Sequence, residues 1–152
     1  MLDMNAVKID LEKLDGGCWW EIRMEGKRLA GDPVDKPSPD ATAVLIVPIG
    51  VGYQRQLARE EEGHLTELRR DDLCDKERHR LECLIGGTAV AKKVLRGWQN
   101  MGFGDGEVPY SETEAIRVLT MRSMRNLLDF CVEKASEQDA TLAREEAQAV
   151  KN

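Results

Sequence analysis

The sequence predicts an α+β fold in which helices dominate: a small N-terminal two-strand β unit followed by a helical, bundle-like domain. Three observations carry this. Aromatic and β-branched residues alternate or cluster between about 18 and 48; the apolar period changes to three and four residues from about 51; and a Gly-rich, aromatic linker joins two helical patterns between Val94 and Leu119. The 152 residues make about one ordinary domain, enough to bury a core. We place that domain at 1–135, with the β unit at about 18–48, helices at about 51–135 and a charged C-terminal arm at 136–152.

After a short leader, the alternation in CWWEIRM (Cys18 to Met24) sends Trp20, Ile22 and Met24 to one face of a strand. Gly16-Gly17 precedes it as a turn, and Glu25-Gly26 follows as a break where a hairpin can reverse. GDPVDKPSPD (Gly31 to Asp40) carries three prolines, which fix their own backbone and push the preceding residues away from helix, so it reads as an irregular loop. The run Val44 to Val47, closed by Pro48, predicts a second strand that pairs with the first.

From Val51 the pattern is helical, with Tyr53, Leu57, Leu65 and Leu68 among charged residues, and Gly63 marks a kink or a helix end. Leu81, Leu84, Thr88, Ala91, Leu95 and Trp98, widened by Ile85 and Val94, predict the strongest amphipathic helix. Gly86-Gly87 lowers its propensity but lets another backbone approach closely. Ser111-Glu112-Thr113-Glu114 is a capping box: the serine oxygen accepts from an early backbone N–H while Glu114 reaches back. Ile116 and Leu119 begin the next apolar face, continued by Met121, Met124, Leu128, Cys131 and Ala135, with Leu142 a late, isolated member. Beyond Ser136 the chain favours helix but has little to bury, which predicts an arm that frays or orders on binding.

Composition narrows the function. Twenty-eight acidic against 22 basic residues, a net charge of -6, oppose the footprint of a protein that holds nucleic acid by its phosphates. Arg69-Arg70 and Lys76 to Arg80 are interleaved with acids, the mixing expected of solvent-facing ion pairs. No apolar run approaches the ~20 residues that span a bilayer, and the N-terminus lacks a basic-then-apolar leader, so the expected location is the cytoplasm, away from membrane. The four cysteines have no C-x-x-C spacing and read as free, small buried hydrophobes.

The candidate chemistry is thin. Cys74, His79 and Cys83, with His64 upstream, are the one metal-like group, but their offsets spread them around a helix, so no metal is expected. Gly102 to Gly106 lacks the order of a phosphate loop, and Asp105 and Glu107 lack calcium-loop spacing, which leaves a turn and no cofactor. Ser111 lacks a nucleophile elbow and reads as a cap; Glu60-Glu61-Glu62 and Asp71-Asp72 read as solvated helix faces. No catalytic residue is assigned, and an enzyme is not expected. Met121 and Met124 suit either core packing or an adaptable partner surface.

Val94-Leu95-Arg96-Gly97-Trp98, a turn with Asp105-Gly106, and Val108-Pro109-Tyr110-Ser111 leading into a helix with Ile116 and Leu119 together resemble the tail assembly chaperones of long-tailed bacteriophages. The upstream order is similar as well: Asp15-Gly16, Trp19 or Trp20, an apolar strand at Val44 to Val47, and a helix bearing Tyr53 and Leu57. The Pro-rich stretch, Gly86-Gly87 and the absence of proline after Leu119 depart from that pattern. The resemblance implies a non-enzymatic protein that binds the tape measure protein in multiple copies, or as a homo-oligomer, until tail tube protein replaces it. From the apolar stripes and the linker, the partner-binding candidates are Trp98, Phe103, Tyr110, Met121, Met124 and Leu128. The alternatives are a head–tail connector or minor tail subunit, and a helical DNA-binding regulator, which the charge disfavours. The linker itself is expected to be a corner in which Trp98, Phe103 and Tyr110 wedge the helix after it against the helix before it.

Overall fold

The computed structural model describes residues 16–104 and 106–151. The leader up to Asp15, and Asp105, lie outside the described residues. The chain is α+β with helix dominating, in the order β1 (Cys18–Glu25), β2 (Arg28–Val34), β3 (Ala43–Ile46), α1 (Val51–Gly63), α2 (Leu65–Leu68), α3 (Asp75–Lys93), β4 (Leu95–Gln99), α4 (Glu112–Leu119), a 3-10 turn (Arg122–Met124) and α5 (Arg125–Lys151).

The sheet has four antiparallel strands, not the two expected, in the order β2-β1-β3-β4. The first hairpin reverses at Gly26, whose positive φ of 63° suits glycine. β2 takes in Gly31 to Val34, so the Pro-rich stretch is loop only in its second part. Pro33 is tolerated because β2 is an edge strand, where a missing N–H can face outward. The remaining loop is tied to the far edge: the Asn100 and Gln99 amides both donate to Ala41 O, and Gln99 also donates to Ser38 O.

The largest departure from expectation is β4. Leu95 and Trp98 belong to this strand and not to the helix whose stripe they extend. α3 stops at Lys93, and Val47 N–H then donates to Val94 O, at the start of the ladder with β3. Residues three apart on a strand normally face opposite ways. A register shift opposite Leu45 and Ile46 cancels this: Ile46 pairs with Leu95 and Leu45 with Gly97, while Arg96 is extruded to solvent. Leu95 and Trp98 therefore both enter the core, with a spacing that mimics a helical one.

Trp20, Val44, Ile46 and Trp98 from the sheet join Val90 and Ala91 of α3, Val94 just after it, and Leu127, Phe130 and Cys131 of α5 in one core. Phe130 lies on Gly31 so closely that a Cβ there would sit 2.8 Å from Phe130 Cζ. Trp19 and Leu45 occupy the opposite face of the sheet, both within 4 Å of the Cβ position of Gly97, and stay half-buried. Gly63 closes α1. Gly86-Gly87 leaves α3 unbroken, and Gly87 is where the C-terminal end of α4 crosses it, since a Cβ would meet Leu119 O at 2.3 Å. The Ser111 hydroxyl accepts from Glu114 N–H at 3.1 Å, whereas the Glu114 carboxylate accepts from Arg117 and does not reach back.

α5 runs on through the arm. Its docked part ends in a relay: Trp20 Nε1 donates to Gln138 Oε1, and Gln138 Nε2 donates to Ile46 O, both at 2.8 Å. Lys134 lies 5.1 Å from the Trp20 ring and 5.6 Å from the Phe130 ring, a cation over two aromatic faces.

Candidate functional site

Two regions place the sequence's unusual residues. The first is the linker. Trp98 reaches it from β4, Phe103 from the turn and Tyr110 from the approach to α4. Trp98 stands edge-on to both partners, with ring centroids 5.9 Å from Phe103 and 5.2 Å from Tyr110, a geometry favoured by the ring quadrupoles. Trp98 Nε1 donates to Val108 O at 2.7 Å, and the Tyr110 hydroxyl donates to Leu95 O at 3.2 Å. Burial raises the Tyr110 phenol's pKa, so it remains a neutral donor. Within the loop, Val108 N–H donates to Met101 O, and Gly104 and Gly106 take positive φ values of 110° and 100° to turn the chain. The three rings do meet, and they close a corner. It joins strand β4 to the loop and to the start of α4; it does not wedge one helix on another.

The second region is a groove of about 600 Å³ between the β1–β2 end of the sheet and the later turns of α5. Trp19, Pro33 and Val34 form one wall, Thr141 and Leu142 the other, and the Trp20–Gln138 hydrogen bond closes the floor. Asp35, Glu137 and Glu145 stand along it, and no lysine or arginine lines it among the described residues.

A family model of the YdaY prophage protein matches residues 50–152, more than half of the chain. The chain belongs to the YdaY prophage protein family. No curated protein and no solved structure matches it. The segment shared with the YdaY family begins at Gly50, just before α1. It includes the whole aromatic corner and the helical wall of the groove, while the strand wall at Trp19, Pro33 and Val34 lies before it.

Of the residues singled out in this YdaY-family chain, Trp98 is 6% exposed and Leu128 4%, both inside the core. Phe103, Tyr110 and Met124 are half-buried and packed against that core. Met121, between α4 and the 3-10 turn, is the most accessible at 42%. The corner thus gathers the three rings, and Met121, Met124 and Leu128 follow along the α4–α5 junction.

The histidines and cysteines have separate surroundings. His79 Nδ1 accepts from Arg122 Nε, His64 lies beside Glu67, and Arg125 Nη1 contacts Cys83 Sγ at 3.6 Å. Among the described residues no three His, Cys, Asp or Glu side chains converge as metal ligands. Cys83 and Cys131 are buried, and burial pushes the Cys131 thiol up to about 12, so it packs as a neutral hydrophobe. Cys74 departs from that expectation: it is exposed, immediately before α3. No helix among the described residues is long and apolar enough to cross a membrane.

The groove was not visible in the sequence. Its one local sign is Leu142, an apolar residue alone on a polar arm; its strand wall comes from the other end of the chain.

Proposed function

We propose that this prophage protein is a tail assembly chaperone: it binds the tape measure protein in the host cytoplasm and keeps it soluble until tail tube protein replaces it. In this reading the protein acts by binding alone, as several copies along one partner, with no reaction, cofactor, nucleic acid or membrane involved.

The observation that carries the reading is that the residues of the chaperone-like pattern make one folded unit. Trp98 and Tyr110 meet edge to face, Leu95 and Val108 supply the carbonyls that their polar atoms bond, and Ser111 caps the helix that follows. Gly97 of β4 lies against Trp19 and Leu45. The residues that carry the resemblance thus share one packed unit, and membership of a prophage family is consistent with the reading. The physics suits the task. A long apolar helix aggregates in water, and an acidic partner with half-exposed apolar surface can cover it while the net charge of -6 keeps the assembly dispersed. Multivalent contacts, each weak, hold many copies in place yet let each one leave.

Co-expression tests this. The tape measure protein encoded by the same prophage is expected to move from the pellet to the soluble fraction when this chain is present, and to co-purify with it. A tape measure protein that stays insoluble at equal expression overturns the proposal.

A further inference from the structure

We propose that the groove between the β1–β2 end of the sheet and α5 is the docking site for a cationic amphipathic helix of a partner protein, two to three turns long. The inference rests on the binding role above for its biological setting, but the groove's own chemistry specifies the occupant.

The length follows from the helical wall. Glu137, Thr141 and Glu145 recur every four residues, so this face of α5 rises about 12 Å from Glu137 to Glu145 at 1.5 Å per residue. A volume of about 600 Å³ takes a few large apolar side chains and not a whole domain. The apolar character follows from what the floor has already bonded. Trp20 Nε1 and both polar atoms of the Gln138 amide are engaged within the protein, and Pro33, Val34 and Leu142 add carbon surface beside them.

The charge follows from the rim. Asp35 stands on the strand side and Glu137 on the helix side. Lys134 neutralises part of Glu137 at 3.3 Å, but this cation is directed over the Trp20 and Phe130 rings. A partner with lysine or arginine flanking an apolar stripe complements this pattern, and an acidic one is repelled. A helix fits better than a strand because the open edge of the strand wall is β2. Pro33 has no N–H to donate to an added strand there, whereas α5 offers side-chain ridges for helix packing. The chain's own residues 1–15 are a poorer match, since they carry four carboxylates against two lysines.

The test uses two dye-labelled 14-residue helical peptides with the same leucine stripe, one filled with lysine and one with glutamate, titrated by fluorescence anisotropy into the full chain. The lysine peptide is expected to bind at least tenfold more tightly than the glutamate peptide. Leu142→Asp is expected to weaken it at least tenfold with the thermal melt unchanged. That variant adds negative charge, so non-specific attraction to an acidic protein would move the other way. Thr141→Lys, at an exposed position on the same wall, should weaken the lysine peptide as well. Equal binding of the two peptides, or insensitivity to both substitutions, overturns the proposal. It is also overturned if the lysine peptide binds only after removal of residues 1–15, which assigns the groove to the chain's own leader. Sedimentation showing a dimer that Leu142→Asp dissociates would give the groove to a second copy and equally overturn it. The outcomes separate from those of co-expression: a solubilised tape measure protein with an inert groove keeps the chaperone reading and removes this one, and the reverse result keeps the groove and removes the tape measure.

Discussion

Trp98→Ala is expected to lower the unfolding free energy by about 3–5 kcal/mol, the cost of emptying a tryptophan site in a core. The side chain is only 6% exposed, sits opposite Val44 in the sheet and stands edge-on to Phe103 and Tyr110. Its removal leaves a cavity that β4 and the loop cannot both close, because β4 is held by β3 and the loop by its own Val108–Met101 bond. Val108 O also loses its donor. Trp98→Phe retains most of the apolar contact and loses the indole N–H, so it should cost less, about 1–3 kcal/mol for the unpaired carbonyl. Urea unfolding followed by far-UV circular dichroism measures both. Equal stability of Trp98→Ala and the parent would remove the corner from the account.

Gly87→Ala is expected to destabilise the protein while Gly86→Ala, one residue earlier in the same helix, stabilises it. A Cβ on Gly87 would lie 2.3 Å from Leu119 O and 2.9 Å from Thr120 N, both backbone atoms, whereas ordinary contact begins at 3.4 Å. The end of α4 must then move off α3. Such overpacking costs about 3 kcal/mol, and the better helix propensity of alanine returns about 1, leaving a net loss of about 2 kcal/mol. A Cβ on Gly86 meets only Leu128 Cδ2 at 3.9 Å, so that variant should gain about 0.5–1 kcal/mol. Thermal melts of the two variants should shift in opposite directions. The same sign for both would mean that the crossing of α3 and α4 is not held as described.

These two positions also show where the sequence was legible. Gly86-Gly87 reads as a place for close approach, and the structure puts a backbone against the second glycine. The strand at β1 with Trp20 and Ile22 toward the core, though not the exposed Met24, the pairing of β3 with it, the end of α1 at Gly63 and the Ser111 cap follow from local chemistry, which acts within a few residues and is written where it acts. β4 was not legible. Leu95 and Trp98 continue the i, i+3 and i+4 rhythm of α3, and only the register shift against β3 turns that spacing into two core-facing strand positions. Such an irregularity belongs to a pair of strands, and neither segment records it alone.

The partner-binding candidates show the same division. Trp98, Phe103 and Tyr110 stood out by their density in a short linker, and they do cluster. Their apolarity is explained by a corner that needs filling, and Leu128 likewise by the core. The groove is assembled from Trp19, Pro33 and Val34 near one end of the chain and Thr141 and Leu142 near the other. No local pattern joins those residues; the sheet and the Trp20–Gln138–Ile46 relay do.

The most direct measurement of the functional account is quantitative mass spectrometry of induced cells and of the phage particles purified from them. A chaperone that is displaced when tube protein assembles should be abundant with the tape measure protein in the cells and absent from the particles. Recovery of this chain from mature particles in a fixed ratio to tube or portal subunits would contradict that account and identify a retained structural subunit.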